Sequence, residues 1–186
     1  MADTVFLGIK HCGKSTQAKL LAARLKREFF DSDTLLEAAY KEKYSVSAAE
    51  ATARAIMKKH GEEFFRRFEA DVIRCFLTRS VSQDCVLALG GGVPCNPFLS
   101  TEELKSLGTM VYLDVPPETA YERIAAGGIP PFLQGDDPHG KFLAMYNART
   151  PRYRELADVV MDVPVSGAAE DLHEKIYNCL LEKSLV

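Results

Sequence analysis

The chain has 186 residues, of which 47% are hydrophobic and 26% are charged, and this composition is typical of one folded domain rather than of a disordered, collagen-like or disulfide-dependent chain. Its 23 Lys and Arg residues and 26 Asp and Glu residues give a net charge of −3, which excludes a broad basic surface for nucleic acid. Any basic site must therefore be local.

The sequence carries no sign of export or membrane insertion. No apolar stretch is long enough to span a bilayer, and the amino terminus lacks a charged segment followed by a long apolar one. Five cysteines without a CxxC or Cys/His cluster are typical of free thiols in a reducing compartment: Cys12, Cys75, Cys85, Cys95 and Cys179. We expect a cytoplasmic protein without membrane or nucleic-acid partners, and we expect it to be a monomer.

Short strands and helices alternate along the chain. Apolar, β-favouring runs predict strands at residues 4–7, around 29–30, and at 86–89, 110–113 and 159–161. Helical patterns lie at residues 15–27, 34–43, 48–59, 62–79, 117–126, 139–150 and 168–182. Ser47 and Glu50 have the spacing of a capping box. This alternation predicts an α/β fold with a parallel sheet covered on both faces. Because there is no repeat or linker, residues 1–186 are expected to form one domain.

One long segment, residues 127–140, fits neither a strand nor a helix. It contains four glycines, three prolines and the adjacent Asp136 and Asp137. A segment of this kind is either a plain surface loop or a functional lid.

The first strand runs into a glycine-rich segment with the pattern GxxxxGKS, and a helix follows. In this context the backbone N–H groups of the loop surround phosphate groups, the lysine reaches the β and γ phosphates, and the serine hydroxyl binds Mg²⁺. The pattern predicts binding of ATP or GTP with Mg²⁺ by this phosphate cradle, which comprises Gly8, His11, Cys12, Gly13, Lys14, Ser15 and Thr16.

Two cradle residues are unusual. Many small P-loop kinases have a glycine at the position of His11, and we interpret His11 as pointing to solvent rather than as catalytic. Cys12 lies beside Lys14 at a helix N-terminus, a setting that lowers a thiol pKa. We therefore hypothesise that Cys12 is alkylated rapidly and that nucleotide protects it.

The second strand leads into Asp31-Ser32-Asp33. If the strand continues through this sequence, both carboxylates face one side, at the edge of the sheet where ligands bind. One carboxylate could then hold the water shell of the metal and the other could deprotonate an acceptor hydroxyl. The alternative is a turn followed by a helix with Asp33 as its N-cap.

Three further features complete a candidate acceptor site. Arg66 and Glu69 are three residues apart on a predicted helix, so the carboxylate could hold the guanidinium for an anionic substrate, although an ordinary surface ion pair has the same spacing. Residues 90–92 are three glycines after a strand, where a ligand can approach the backbone closely. Arg149 lies in Arg149-Thr-Pro-Arg-Tyr153, after the long loop.

Taken in order, the cradle, the Asp-Ser-Asp sequence, and segments 61–69, 87–92 and 149–158 resemble the shikimate kinase family over nearly the whole chain. The resemblance implies a three-layer fold like that of nucleoside monophosphate kinases, with a five-stranded parallel sheet, a lid at about 127–140 and an acceptor-binding helical part at about 34–79. It also implies ATP-dependent phosphorylation of the 3-hydroxyl of shikimate in aromatic amino-acid biosynthesis, with ATP and shikimate as ligands and Mg²⁺ arriving with ATP.

The resemblance also implies a role for each matching residue. Lys14 would contact phosphate, Ser15 would bind Mg²⁺ and Asp31 would support the metal through water. Asp33 would receive the proton of the acceptor hydroxyl. The remaining positions would bind the shikimate carboxylate (Arg66 and Arg149), line the substrate (Gly90, Gly91 and Gly92) and pack on adenine (Arg123).

The chain departs from the family in the lid. The family has an arginine that crosses to the phosphates when the lid closes, and Pro130 stands at that position. Either a nearby cation such as Lys10 or Lys141 substitutes, or the enzyme is slow, or the protein binds nucleotide without phosphorylating shikimate. A kinase of another small hydroxy acid or polyol also remains open.

Overall fold

The protein, described by a computed structural model over residues 3–78 and 84–186, is built on one sheet of five parallel strands. The strands are β1 (Thr4–Leu7), β2 (Glu28–Asp31), β3 (Cys85–Ala88), β4 (Thr109–Asp114) and β5 (Val159–Asp162), and their order in the sheet is β2-β3-β1-β4-β5. The predicted α/β fold with a parallel five-stranded sheet is confirmed.

Burial of the strands explains why the apolar runs were readable in the sequence. Every residue of β1 and β3 is buried, and since neighbouring residues of a strand point to opposite faces, both faces of the sheet are covered. The edge strands β2 and β5 contain exposed positions. The main apolar core lies around the three central strands, and a smaller cluster lies between the second and third helices.

Seven α-helices connect and cover the strands. They are α1 (Lys14–Leu25), α2 (Ser32–Tyr44), α3 (Ala53–Leu77), α4 (Thr101–Lys105), α5 (Pro117–Ala126), α6 (Pro138–Leu156) and α7 (Ala169–Glu182) among the described residues, with single 3-10 turns at Val93–Cys95 and Pro131–Leu133. The short helix α4 and both 3-10 turns were not predicted, because segments of three to five residues carry no helical periodicity.

The predicted break between helices at 48–59 and 62–79 is confirmed. Residues 53–77 comprise two helical segments that meet at a kink at Gly61, whose φ of 83° and ψ of 176° are not helical. The predicted capping-box contacts of Ser47 and Glu50 do form, but they close a single turn, and the helix begins only after its N-cap Thr52. Residue 79, the predicted end, lies outside the described residues.

The sixth helix is longer than the predicted 139–150. It continues through Pro151 to Leu156, although proline lacks the N–H group that an interior helical position uses. The Thr150 hydroxyl donates to the carbonyl oxygen of Tyr146 (2.8 Å) one turn earlier. Because the helix continues, Arg149 and Tyr153 occupy neighbouring turns of one rigid element instead of a loop.

All five cysteines are free thiols, as predicted. Within residues 3–78 and 84–186, none of the helices combines the length and the apolar character needed to cross a bilayer.

Asp158 joins the ends of two strands. Its backbone N–H donates to the carbonyl oxygen of Met110 (2.9 Å), and its carboxylate accepts the N–H of Met110 (2.8 Å). This pair of bonds sets the register in which β5 pairs with β4.

We predict that Asp158→Ala lowers the free energy of unfolding by about 1–2 kcal/mol, because the N–H of Met110 loses its acceptor in a partly buried position. Urea denaturation measures this change. The control is Asp162→Ala at the exposed opposite end of β5, with an expected change within about 0.5 kcal/mol. Equal effects of the two substitutions would contradict a specific role for the Asp158 carboxylate.

Candidate active site

The phosphate cradle lies between the end of β1 at Leu7 and the start of α1 at Lys14. Gly8 packs so closely that a Cβ there would lie 2.9 Å from Cys12 Sγ and 2.9 Å from the carbonyl oxygen of Leu113. Gly13, the N-cap of α1, has a φ of 99°, which L side chains rarely adopt. The predicted strand-cradle-helix arrangement is therefore present, with the N-terminus of α1 opening onto the loop.

Lys14 holds a positive charge inside this loop. Its side chain is buried, with 9% of the residue exposed, and Nζ donates to the carbonyl oxygen of Ile9 (2.8 Å). That acceptor is neutral, so the charge of the ammonium group is free to attract an anion.

The cradle also meets the end of β2. Ser15 Oγ donates to Asp31 Oδ2 (2.8 Å), which brings together a hydroxyl oxygen and a carboxylate oxygen. Hard oxygen donors of this kind suit Mg²⁺, which keeps several waters and binds proteins through few groups. Among the described residues, no group of three or more His, Cys, Asp and Glu side chains is arranged to hold a metal. These two residues therefore fit a metal that arrives with nucleotide rather than one held in a protein cage.

The Asp-Ser-Asp sequence does not continue the strand, contrary to our expectation. Strand β2 ends at Asp31, α2 begins at Ser32, and Asp31 rather than Asp33 is the N-cap, accepting the N–H of Asp33 (3.0 Å). Strand alternation is thus not what orients Asp33. The helix instead directs Asp33 Oδ1 towards Gly90, where a Cβ would collide with it.

Asp33 has a perturbed carboxyl group. Asp33 is exposed to solvent at the end of β2. Its pKa is nevertheless raised, first because the surrounding protein displaces water and second because Asp31 and Glu69 are negatively charged. The positive charge of Lys14 acts in the opposite direction. A carboxyl group with a raised pKa beside an anion-binding cradle is suited to accept a proton.

The three glycines follow β3 and form the wall between the cradle and the acceptor side. A Cβ on Gly91 would lie 3.3 Å from the carbonyl oxygen of Gly8, and one on Gly92 would lie 3.0 Å from Nη2 of Arg66. The N–H of Gly90 donates to Ser32 Oγ (2.7 Å). A side chain at these positions would displace the carboxylate of Asp33, press on the backbone of Gly8 or displace the guanidinium of Arg66, so glycine keeps these groups where they are.

Arg66 is held by a buried carboxylate. Nη1 of Arg66 lies 2.9 Å from Oε2 of Glu69, and Glu69 is only 5% exposed. The buried amide of Asn96 donates to the same Glu69 oxygen (2.9 Å) and to the carbonyl oxygen of Arg66 (2.8 Å). An ordinary surface pair, which was the alternative interpretation, is inconsistent with this burial.

Arg149 approaches the same region from α6. Its Nη1 donates to the carbonyl oxygen of Gly91 (3.3 Å), and the hydroxyl of Tyr153 donates to the same oxygen (2.6 Å). The two arginines line a cavity of about 520 Å³, whose wall also includes Glu62, Glu63, Pro97 and Phe98. This volume suits a small organic ligand, and the guanidinium groups suit a carboxylate on that ligand.

The two unusual cradle residues differ in accessibility. Cys12 is 1% exposed and packs on Gly8, so the accessible thiol that rapid alkylation requires is absent, and that hypothesis is wrong for this conformation. His11 is exposed, as interpreted, and has a φ of 61°. Its ring nevertheless lies beside the backbone of Gly127, where a Cβ would be 3.4 Å from Cε1.

The lid begins one turn after Arg123. Nη2 of Arg123 donates to the carbonyl oxygen of Pro164 (3.2 Å), in the segment after β5. Pro130 is buried, and Lys141 Nζ donates to the carbonyl oxygen of Gln134 (2.6 Å) within the lid. Lys10 is exposed on the cradle.

Three residues of the site were not singled out from the sequence. Ser32 and Asn96 act through buried hydrogen bonds, and Cys95 lines the cavity. Ser32 lies between two noted aspartates, which was a usable signal. Asn96 and Cys95 lie in an irregular segment without periodicity, so only the packing of that segment against α3 and α6 identifies them.

Comparison with known proteins gives one consistent result. The family model described as shikimate kinase matches residues 10–180. The chain is 39% identical to a shikimate kinase of Cupriavidus pinatubonensis, over 89% of this chain and 79% of the relative, and 36% identical to one of Symbiobacterium thermophilum, over 84% of each chain. A solved shikimate kinase of Acinetobacter baumannii in complex with shikimate superimposes with a TM-score of 0.81 and 32% identity, over 100% of this chain and 96% of that one. The chain therefore belongs to the shikimate kinase family.

Proposed function

We propose that the protein transfers the γ-phosphoryl group of ATP to the 3-hydroxyl of shikimate. The observation that carries this proposal is the position of the three glycines: the cradle lies beside Gly91, and Asp33 and Arg66 lie beside Gly90 and Gly92. A phosphate site, a proton acceptor and a carboxylate site thus lie along one short backbone segment. Shikimate has the matching groups, a carboxylate and ring hydroxyls.

Each side chain has a distinct task in this reaction. Arg66 and Arg149 bind the carboxylate and so orient the ring. Asp33 accepts the proton of the 3-hydroxyl while that oxygen forms a bond to the γ phosphorus and the bond from the γ phosphorus to the bridging oxygen breaks, releasing ADP. Buried Lys14 stabilises the negative charge on the phosphate oxygens.

Mg²⁺ fits beside Ser15 and Asp31, whose oxygens are already adjacent. When bound with ATP, it neutralises phosphate charge. Ser15 would bind it directly and Asp31 would do so through water, which is how the family resemblance assigns them.

The lid distinguishes this chain from the family pattern. An arginine that meets developing phosphoryl charge contributes about 10³ to 10⁵ in rate in related reactions, and Pro130 provides no charge. Of the two candidate substitutes, Lys141 is held by the carbonyl oxygen of Gln134. Lys10 belongs to the cradle itself and is exposed, so we propose it as the substitute cation.

Two other functions remain candidates. The uncharged lid favours a nucleotide-binding protein with weak or no shikimate kinase activity, and the acceptor cavity is also compatible with another small hydroxy acid. Retention of Asp33, Arg66 and Arg149 favours a kinase, since a regulator has no need of an acceptor site.

We also propose the organisation implied by this function: one kinase domain over residues 1–186, with its lid at about 127–140 and its acceptor-binding part at about 34–79. Arg123 would pack on adenine. The five free thiols favour the cytoplasm, and because one chain supplies all the proposed residues, a monomer suffices for the reaction.

The first test is ADP release in a coupled assay with saturating MgATP and either shikimate, quinate, gluconate or no acceptor. We expect release that depends on shikimate and falls at least about 100-fold in Asp33→Asn, because the proton acceptor is lost. No shikimate-dependent release by the wild type would favour the nucleotide-binding function. A preference for quinate or gluconate would favour the other acceptors.

The second test compares two arginines of α3. We expect Arg66→Ala to raise KM for shikimate about 10- to 100-fold through loss of charge-assisted hydrogen bonds to the carboxylate. Arg54→Ala is the control, since Arg54 is exposed on the same helix and does not line the cavity; we expect less than about a twofold change in KM. Similar effects of both substitutions would argue against the carboxylate site.

The third test concerns Asn96, a positioning residue for Arg66. We expect Asn96→Ala to raise KM for shikimate about 3- to 10-fold, with a smaller effect on kcat, because Glu69 loses the partner that orients it. The free energy of unfolding should fall by about 1–3 kcal/mol. A loss of stability with unchanged KM would show that Asn96 is only structural.

A further inference from the structure

His11 connects two parts of the molecule that the proposed reaction must coordinate. Its backbone belongs to the phosphate cradle, and its imidazole lies against Gly127, the residue that ends α5 and begins the lid. A Cβ on Gly127 would lie 3.4 Å from Cε1 and 3.6 Å from Nε2 of His11, so the ring lies beside the lid root, which we define as Gly127 and Gly128, with no room between them for a side chain larger than a methyl group.

The chain retains a side chain at position 11 despite a conformational cost. The φ of His11 is 61°, and a non-glycine residue in this region costs about 1–2 kcal/mol. Such strain persists where surrounding contacts compensate for it. The contact with the lid root is one that glycine at position 11 could not make.

The lid root is also held by hydrogen bonds within α5. The N–H of Gly127 donates to the carbonyl oxygen of Arg123 (3.3 Å) and that of Gly128 to Ala125 (3.1 Å), both within the last turn of α5. Gly128, with a φ of 90°, then turns the chain into the lid. The ring of His11 is therefore a tertiary contact at the point from which the lid leaves the body of the protein.

The imidazole is suited to packing. Partial burial and the charges of Lys10 and Lys14 lower its pKa, so the ring is neutral near pH 7. A neutral ring can lie against the glycine backbone without the cost of desolvating a charge.

We propose that His11 is a positioning residue that holds the lid root against the phosphate cradle, so that the lid closes from a defined position. This inference rests on the proposed kinase function for its kinetic consequences, but the contact can be tested without turnover.

The test uses the full chain with His11→Gly, which removes the ring and relieves the strained φ. We expect hydrogen exchange of residues 127–137 to become at least about threefold faster with MgADP bound, and KM for ATP to rise about 3- to 10-fold. Lys26→Gly is the matched control, because Lys26 has a φ of 55° at the end of α1, where it caps the helix. It should leave lid exchange and KM unchanged.

A double-mutant cycle isolates the contact itself. Gly127 has a negative φ (φ −84°, ψ 1°), which residues other than glycine also adopt, and a side chain there would point at the His11 ring, so Gly127→Val should disturb the lid by displacing that ring. We expect Gly127→Val to speed lid exchange in the wild type and to have little further effect in His11→Gly.

The outcomes separate the two proposals. Additive effects in the cycle, or unchanged lid exchange in His11→Gly, would overturn the positioning role even if shikimate is phosphorylated. Coupled effects on lid exchange would support it even if the wild type shows no shikimate-dependent ADP release, which would contradict only the proposed function.

Discussion

One steric constraint organises the site: residues 90–92 have no side chains. Each of these glycines lies against a different functional group, namely Asp33, the cradle at Gly8 and the guanidinium of Arg66. The order of the sheet explains the arrangement, because β3 lies between β2, which leads to Asp33, and β1, which leads to the cradle. The segment after β3 must therefore fit between two functional loops, and a side chain on it would displace the groups that lie against it.

Positive charge is concentrated around these glycines, although the net charge of the protein is slightly negative. Lys14 is buried beside a neutral carbonyl group, whereas Arg66 is paired with the buried Glu69. The two cations are thus prepared differently. The ammonium group of Lys14 is bonded to a neutral group, so its positive charge is available to phosphate. Glu69 and Asn96 orient the guanidinium of Arg66, but the negative charge of Glu69 offsets part of the positive charge of Arg66.

The proposed lid has an unusual surface. Pro130 and Leu133 are buried, and between them Phe132 is 59% exposed. This segment thus packs on the body through apolar residues, and Pro130 stands where the family has an arginine. The ring of His11, at a position where many small P-loop kinases have glycine, lies beside Gly127, three residues before Pro130.

Local patterns in the sequence were sufficient for much of the structure. The five strands and the strand-cradle-helix arrangement could be predicted because buried strands are continuous apolar runs and because phosphate binding requires glycine and lysine at set spacings. Helix boundaries were less reliable. Gly61 interrupts α3 as predicted, whereas α6 continues through Pro151, beyond its predicted end at residue 150.

Contacts between distant segments were decided only by the tertiary structure. The amide of Asn96 donates a hydrogen bond to Glu69, Cys12 is buried beside Gly8, and the ring of His11 lies beside Gly127. None of these contacts leaves a periodic or spaced signal, because each depends on how two loops meet across the sheet edge. The sequence by itself thus determined which chemical groups are present and on which elements. The tertiary structure decided which of them are held in place and by what, since orientation depends on packing between segments far apart in the chain.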